Sequence, residues 1–350
     1  MNLLIAASGT GGHLFPALGL AQQLPEYQIA WLGVPDRLEQ SLVPKSYPLH
    51  TISVAGFQDG LGIKTIKTAF NLLSSISQVR KLIKEKQIDA VFTTGGYIAA
   101  PAILAASWAK IPAILHESNY IPGKVTRILS GFCHTVAIGF RGTEKYLPRV
   151  DTVYVSTPVR EEFLSPQPLA LPIPATAKLI VVTGGSQGAV AVNQLVREAA
   201  PQWLKTGAYI VHLTGDRDPD KDSFQHPQYI SLPFYDNMAG LLQRADLAIS
   251  RAGAGTLTEL AVTKTPAILI PYPYAAENHQ TYNAQVFAEA GAALVYSQAK
   301  LTKEILGNEV LNLLNSPEIL RNMTQATAAL AVTNSAELLA NIVKEAVTKD

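Results

Sequence analysis

Ser8-Gly9-Thr10-Gly11-Gly12-His13 sets a histidine at the head of a helical stretch, directly after the apolar run Leu3-Leu4-Ile5-Ala6-Ala7. The helix reads from Leu14 to Leu24, so the order is strand, glycine loop, helix. Glycines permit positive φ and close backbone approach, and a helix N-terminus leaves unpaired N–H groups at the positive end of its dipole. An anion or an anionic transition state suits such a loop. Imidazole titrates near neutrality and the positive helix end disfavours its cation, so His13 can take the proton of an attacking hydroxyl. A histidine that only hydrogen-bonds a substrate phosphate or backbone fits the same position.

Three more glycine loops follow apolar runs: Thr94-Gly95-Gly96-Tyr97, Gly184-Gly185-Ser186-Gln187-Gly188, and Arg251-Ala252-Gly253-Ala254-Gly255-Thr256. Gly184 to Gly188 opens a helical stretch, Ala189 to Leu204, and can offer N–H groups to a diphosphate, with Ser186 and Gln187 adding side-chain donors. Ser186 also reads as an N-cap, and the two roles are compatible. Glu259, early in the helix after the last loop, can accept both hydroxyls of a ribose; the other reading is an acid favoured by the helix dipole. The dinucleotide fingerprint G-x-G-x-x-G fails at Leu14, and G-x-x-x-x-G-K-[ST] is absent, so neither hydride transfer nor P-loop phosphoryl transfer is supported. His50, His134, His212 and His226 show no metal-ligand spacing, and no metal site is expected.

These loops need strands and helices to carry them, and the chain supplies both in alternation. Apolar runs at Ile29 to Gly33, His50 to Val54, Ala90 to Thr94, Ala113 to His116 and Thr135 to Ile138 read as strands. Leu61 to Lys86, Ala99 to Lys110 and Gly123 to Ser130 read as helices between them, the pattern of a parallel sheet with helical crossovers. The proline-rich segment 165–177 can neither continue a helix nor pair as a central strand and reads as a linker. A second series follows, with strands at Leu179 to Thr183, Tyr209 to Leu213, Tyr229 to Leu232, Leu247 to Ser250, Ala267 to Ile270 and Ala293 to Tyr296. The expected organisation is a domain over 1–164, the linker, a domain over 178–335, and a helix over 336–350 that crosses back onto the first domain. Two halves that open alike suggest similar nucleotide-type domains facing each other, with the glycine loops converging on one cleft.

The chain has 350 residues, 48% hydrophobic and 16% charged, with a formal net charge of +1, which describes a globular protein without a global bias toward nucleic acid. One cysteine, Cys133, excludes an intramolecular disulfide and suits a reducing compartment. No signal-peptide pattern opens the chain, and the longest uncharged apolar run, Tyr97 to Ala109, falls short of the roughly 20 residues that span a bilayer, so a soluble or membrane-surface protein is expected. Ile63, Ile66, Phe70 and Leu73 lie at helical spacing with Lys64 and Lys67 between them. That face suits anionic lipid headgroups or packs on the sheet as an ordinary amphipathic helix.

Several motifs occur together in one order: the Ser8–His13 loop with Phe15-Pro16-Ala17, Thr94-Gly95-Gly96-Tyr97 with Pro101, His116-Glu117-Ser118-Asn119, Pro158-Val159-Arg160, Gly184 to Ala189, Ser250 to Thr256 with Glu259, and Asn278-His279-Gln280 with Asn283-Ala284. In this the sequence resembles the MurG family, the bacterial peptidoglycan N-acetylglucosaminyltransferases, over about residues 1 to 345. The resemblance implies a GT-B fold, an α/β architecture of two Rossmann-like domains with parallel sheets facing across a cleft. It implies an inverting transfer of N-acetylglucosamine from UDP-N-acetylglucosamine to the 4-hydroxyl of the muramyl sugar on an undecaprenyl diphosphate, lipid I to lipid II. His13 is then the catalytic base. UDP-N-acetylglucosamine is assigned Thr10, Gly11, Gly12, Asn119, Arg160, Ser186, Gln187, Gly188, Phe234, Tyr235, Ala254, Gly255, Thr256, Glu259, His279 and Gln280. Among these, Phe234-Tyr235 approaches the uracil, Glu259 binds ribose, and His279-Gln280 contacts the donor sugar. Ser8, Gly9, Gly95, Gly96, Tyr97 and His116 fall on the acceptor side.

The resemblance also implies no required cofactor, with stimulation by a divalent cation left open. It implies a membrane-binding patch near Ile63 to Leu73, work at the cytoplasmic face of the bacterial plasma membrane, contacts with other cell-wall synthesis proteins, and no nucleic acid. Three departures stand out: Ser156-Thr157 where the family commonly has Gly-Asn, Ser118 where it commonly has glutamine, and Gly255 where bulkier residues also occur. Readings of other classes are a nonhydrolysing UDP-N-acetylglucosamine 2-epimerase, a noncatalytic sugar-nucleotide-binding subunit, and another GT-B glycolipid glycosyltransferase.

Overall fold

A computed structural model describes residues 1–54, 63–185 and 188–348, with the backbone alone for 63–69. The chain forms two compact units, Met1–Arg160 with Asn334–Asp350, and Glu161–Thr333.

In the first unit the elements run β1 (Asn2–Ala6), α1 (Gly11–Gln22), β2 (Gln28–Gly33), α2 (Glu39–Leu42), β3 (Leu49–Thr51), α3 (Ile63–Glu85), β4 (Ala90–Thr93), α4 (Ala99–Ala109), β5 (Ala113–Glu117), α5 (Lys124–Leu129), β6 (Thr135–Ile138) and β7 (Thr152–Tyr154). The strands form one parallel sheet in the order β3-β2-β1-β4-β5-β6-β7. Alternate side chains of β1 serve opposite faces: Leu4 and Ala6 pack with residues of α3 and α4, while Leu3 and Ile5 pack with residues of α1. A strand buried on both faces requires an unbroken apolar run, which Leu3 to Ala7 provides.

The second unit repeats this plan with β8 (Leu179–Thr183), α6 (Val190–Leu204), β9 (Tyr209–Leu213), β10 (Tyr229–Leu232), α7 (Met238–Arg244), β11 (Leu247–Ser250), α8 (Ala254–Thr263), β12 (Ala267–Leu269), α9 (His279–Glu289), β13 (Ala293–Val295), α10 (Lys303–Leu314) and α11 (Pro317–Ala329). Its parallel order is β10-β9-β8-β11-β12-β13. The final helix, α12 (Ser335–Thr348), belongs to the first unit, where Leu339, Ala340, Val343 and Ala346 are buried in the core that α1 shares.

The segment 165–177 is not a free linker. It lies in the second unit, where Gln167 N–H donates to Gln243 Oε1 at 2.8 Å and Asn237 Nδ2 donates to the Pro168 carbonyl at 2.8 Å. Arg244 donates to the carbonyls of Pro174, Ala175 and Ala177 at 3.0, 3.0 and 2.6 Å. Prolines remove N–H donors but keep carbonyls, so the segment cannot join the sheet yet can be held by side-chain donors. The boundary accordingly falls after Arg160 and not at 164.

Chain order reverses beside β1 in the first sheet and beside β8 in the second, leaving a crevice between β1 and β4 and another between β8 and β11. Parallel α/β sheets bind ligands at the carboxyl ends of strands at this switch point. The four glycine loops follow β1, β4, β8 and β11.

Each unit also buries one neutral histidine. Burial pushes His116 down to about 4 and His212 down to about 3. An unfolded chain protonates these residues near pH 6.5 while the folded protein does not, so stability present above that pH is lost as the pH falls toward the folded values. Between pH 7 and pH 5 the histidine contribution to each unit falls by about 2 kcal/mol. Urea unfolding followed at pH 7, 6 and 5 checks this, and a profile that stays flat over the range contradicts it.

Candidate active site

The sheet ends at the first switch point are tied together before the loops begin. Ala6 and Thr93 are partners in the ladder, and Thr93 Oγ1 donates to the Ala6 carbonyl at 2.7 Å while accepting from Gly95 N–H at 3.3 Å. Helix α1 starts at Gly11, earlier than Leu14, and this places His13 in its first turn. The N–H groups of Gly11 and Gly12 have no acceptor within the helix, because the first turn precedes any carbonyl they could reach.

His13 Nδ1 lies 2.8 Å from the Thr94 carbonyl oxygen. A carbonyl only accepts, so Nδ1 carries the proton and, in the neutral ring, Nε2 holds the lone pair. A Cβ added to Gly96 would come within 3.8 Å of that Nε2. Gly95 and Gly96 take φ of +86° and +73°, a left-handed pair that L-residues rarely adopt, and this is what turns the Thr94 carbonyl loop past the imidazole. Tyr97 follows with half its surface exposed.

Ser8, expected on the acceptor side, is occupied elsewhere. Its hydroxyl donates to Glu39 Oε1 at 2.6 Å; the same carboxylate accepts Val34 N–H at 2.7 Å and, through Oε2, Gly9 N–H at 3.3 Å. Glu39 is wholly buried and shapes the loop ahead of Thr10. It was not among the expected site residues, and a lone acid in Asp36-Arg37-Leu38-Glu39 carries no periodic signal, since two of its donors are backbone N–H groups.

At the end of β5, His116 is enclosed, with zero exposure. Its Nε2–H donates to the Ser156 carbonyl at 2.9 Å, and Ser118 Oγ donates to its Nδ1 at 3.3 Å. Direct acceptor contact by His116 is therefore corrected to support of the loop from beneath. Glu117, also unexpected, accepts Asn119 N–H at 3.1 Å, Gly123 N–H at 3.0 Å and Thr126 Oγ1–H at 2.7 Å, folding the Asn119 loop onto the start of α5. Arg160 stacks its guanidinium over Phe15 at 4.8 Å, and Phe15 covers Gly11, where a Cβ would meet the ring at 2.6 Å. Arg160 therefore sits beside the α1 N-terminus in the first unit.

In the second unit, Gly184, Gly185 and Gly188 lie between β8 and α6. Gly185 and Gly188 take φ of +80° and +72°, and a Cβ at Gly184 would lie 2.5 Å from Ala189 N. Ser186 and Gln187, expected to donate to the diphosphate, lie outside the described residues. Beside them, β11 leads through Arg251 to α8, whose first turn holds Ala254, Gly255 and Thr256 and whose second holds Glu259. Nothing lies within 4 Å of a Cβ added at Gly255, so no packing requires glycine there and that helix end stays bare. Gln280 Oε1 accepts Ala252 N–H at 3.2 Å and Tyr272 N–H at 2.9 Å, joining the loops after β11 and β12. His279 Nδ1–H donates to the Ala276 carbonyl at 2.7 Å at the head of α9. Phe234, 70% exposed, and the half-buried Tyr235 follow the end of β10.

Asp216 to Asp222 carries the D-x-D spacing that other glycosyltransferases use for a diphosphate-bound metal, a signal that bears against the metal-free expectation on spacing alone. Its geometry gives Asp218 other work: the carboxylate pairs with Arg197 at 2.7 Å and accepts from Asn193 at 2.7 Å, both buried. Among the described residues no group of three His, Cys, Asp or Glu is arranged around a metal position.

The chain matches the glycosyltransferase family 28 N-terminal domain over residues 3–138, within the first unit, and the family 28 C-terminal domain over 179–339, which spans most of the second unit and the start of α12. A protein of Gloeothece citriformis named UDP-N-acetylglucosamine--N-acetylmuramyl-(pentapeptide) pyrophosphoryl-undecaprenol N-acetylglucosamine transferase is 68% identical, covering 98% of this chain and 96% of its own. The chain belongs to glycosyltransferase family 28. A protein of the same name from Microcystis aeruginosa is 67% identical to this family 28 chain, covering all of it and 98% of its own length. The crystal structure of Acinetobacter baumannii MurG matches at 29% identity with a TM-score of 0.78, covering 98% of this chain and 99% of that one.

Within this family 28 chain the Ser156 departure acquires a physical meaning. Ser156 takes φ of +63°, a conformation that costs a non-glycine residue about 1–2 kcal/mol. The position that the family pattern gives to glycine is left-handed here, and the strain is held by the His116 hydrogen bond to its carbonyl. Glu39 yields the sharper test. Glu39→Gln keeps the volume but turns an acceptor oxygen into an NH₂ facing N–H and O–H donors, so the variant is expected to lose about 1–3 kcal/mol of stability in denaturant unfolding. A variant as stable as the parent contradicts the role given to that carboxylate.

Proposed function

We propose that this chain transfers N-acetylglucosamine from UDP-N-acetylglucosamine to the 4-hydroxyl of a muramyl pentapeptide carried on undecaprenyl diphosphate; the donor, the carrier-linked acceptor and the transferred sugar are those printed in the names of its full-length relatives. The observation that carries the mechanism is His13, with Nδ1 committed to the Thr94 carbonyl and Nε2 left as the acceptor at the carboxyl edge of the first sheet.

The acceptor hydroxyl attacks C1 of the donor sugar as His13 Nε2 takes its proton. The C1–O bond to the β-phosphate breaks, its electron pair leaves on UDP, and the anomeric configuration inverts. Bare N–H groups at the N-terminus of α6, beside Gly184, Gly185 and Gly188, meet the charge that grows on the diphosphate. Glu259 takes the ribose hydroxyls, Phe234 and Tyr235 the uracil, and His279 with Gln280 the sugar. Ala254, Gly255 and Thr256 give α8 a second N-terminus open to the donor. Thr10, Gly11, Gly12, Asn119 and Arg160 complete the donor set from the first unit, while Gly9, Gly95, Gly96 and Tyr97 border the acceptor. No step in this scheme requires a metal.

The lipid carrier calls for work at a membrane surface. No helix among the described residues is long and apolar enough to cross a bilayer. Phe70 and Leu73 on α3 are 72% and 58% exposed, an unusual position for large apolar groups and one suited to interfacial insertion. The side chains from Ile63 to Ala69 lie outside the described residues.

Purified protein given radiolabelled UDP-N-acetylglucosamine and a short-chain, water-soluble analogue of the lipid-linked acceptor is expected to form the disaccharide. No transfer contradicts the proposal, and conversion of the nucleotide sugar without acceptor favours the epimerase. His13→Ala is expected to lower kcat by about 10²–10⁴-fold at saturating substrates, with donor KM close to the parent. Near-normal kcat would reduce His13 to a binding residue.

A further inference from the structure

One buried polar network in the second unit is used by none of the steps above. Asn193, on the α6 face beneath the glycine loop, has zero exposure and makes three hydrogen bonds. Its Nδ2 donates to the Thr214 carbonyl at 2.8 Å and to Asp218 Oδ2 at 2.7 Å, and its Oδ1 accepts from His212 Nε2–H at 3.0 Å. With both amide hydrogens given to acceptors, the orientation of the amide is determined, and so is the histidine tautomer: Nε2 donates, and Nδ1 accepts the Tyr229 hydroxyl at 2.5 Å. Asp218 is anchored in turn by Arg197 at 2.7 and 3.4 Å.

Thr214 is where this network touches both halves of the donor position. A Cβ at Gly188 would lie 2.8 Å from the Thr214 carbonyl oxygen, so the last residue of the glycine loop rests directly on that peptide. On its other side Thr214 N–H donates to the Leu232 carbonyl at 2.9 Å and Thr214 Oγ1 to the same oxygen at 3.3 Å. Leu232 leads through Pro233 into Phe234-Tyr235. A single residue, through its carbonyl on one side and its N–H and hydroxyl on the other, therefore supports Gly188 and the segment that carries the exposed aromatic.

We propose that Asn193 is a positioning residue that holds Gly188, ahead of α6, and the Phe234-Tyr235 segment in register through Thr214, so that a ligand spanning both, a nucleoside diphosphate, finds the two ends of its site at a fixed separation. The inference rests on the donor assignment in Proposed function. A buried, fully satisfied network of this kind makes one arrangement unique, and loss of one member leaves the others unpaired. Uridine and inorganic pyrophosphate each meet only one of the two loops, so loss of register penalises UDP far more than either fragment.

Calorimetry with UDP, and ligand-observed NMR with uridine and with pyrophosphate, separate positioning from general support. The comparison is wild type, Asn193→Ala, and Val310→Ala, a buried core truncation of the same unit that makes none of the network's hydrogen bonds and serves as the control for general destabilisation, with the Tm of both variants measured alongside. The expected result is a UDP Kd raised at least tenfold in Asn193→Ala, fragment affinities within about threefold of wild type, and an unchanged UDP Kd in Val310→Ala. Equal UDP affinity in Asn193→Ala and wild type, equal weakening in both variants, or fragments weakened as much as UDP each overturn the inference. Failure of the wild type to bind UDP overturns the donor assignment itself.

Discussion

The hydrogen bond from His13 Nδ1 to the Thr94 carbonyl is the contact on which the chemistry proposed for the first unit depends. It joins the loop after β1 to the loop after β4, two strands that are neighbours only because the chain order reverses there. Everything nearby serves to make that contact possible. Thr93 ties the strand ends together, Gly95 and Gly96 bend the backbone through a region that other residues rarely adopt, and Glu39 holds Ser8 and Gly9 so that α1 starts at Gly11. Without the last of these, the first turn of α1 has no fixed origin and the imidazole no fixed direction.

The two units solve one problem with different chemistry. Each must hold a glycine-rich loop still ahead of a helix whose first-turn N–H groups have no partner within the helix. The first does so with a buried carboxylate, Glu39, whose donors are two backbone N–H groups and one hydroxyl. The second uses an ion pair and an amide, Arg197 with Asp218 and Asn193, beneath α6. Burial also leaves His116 and His212 neutral, each with both ring nitrogens engaged. The hydrogen bonds that immobilise the loops thus come from groups that face inward, and the outer face stays open to substrate.

Much of the fold was legible because a strand buried on both faces must be a continuous apolar run, and β6, β8, β9 and β11 have the limits that such runs set. Elements that do not rely on an apolar run escaped notice. Helix α2 is a single turn in a polar stretch, and β7 at the sheet edge alternates too briefly to register. Residues 165–177 read as a linker because prolines exclude regular structure, yet their carbonyls are captured by Arg244 and Asn237. The site followed the same rule. Glycine loops and His13 announced themselves by local pattern, whereas Glu39, Glu117 and Asn193 act on backbone groups brought near by the fold, and His116 looked like a ligand-facing residue until its burial was seen.

The state of the His13 ring is the most direct test of this account. Nitrogen NMR of the protein labelled with ¹⁵N-histidine, with the His13 signals assigned by their loss in His13→Gln, reads the tautomer at pH 8. The hydrogen bond to Thr94 predicts a protonated Nδ1 and a bare Nε2. A ring found predominantly protonated at Nε2 would contradict it, because that nitrogen could then accept no proton from an attacking hydroxyl.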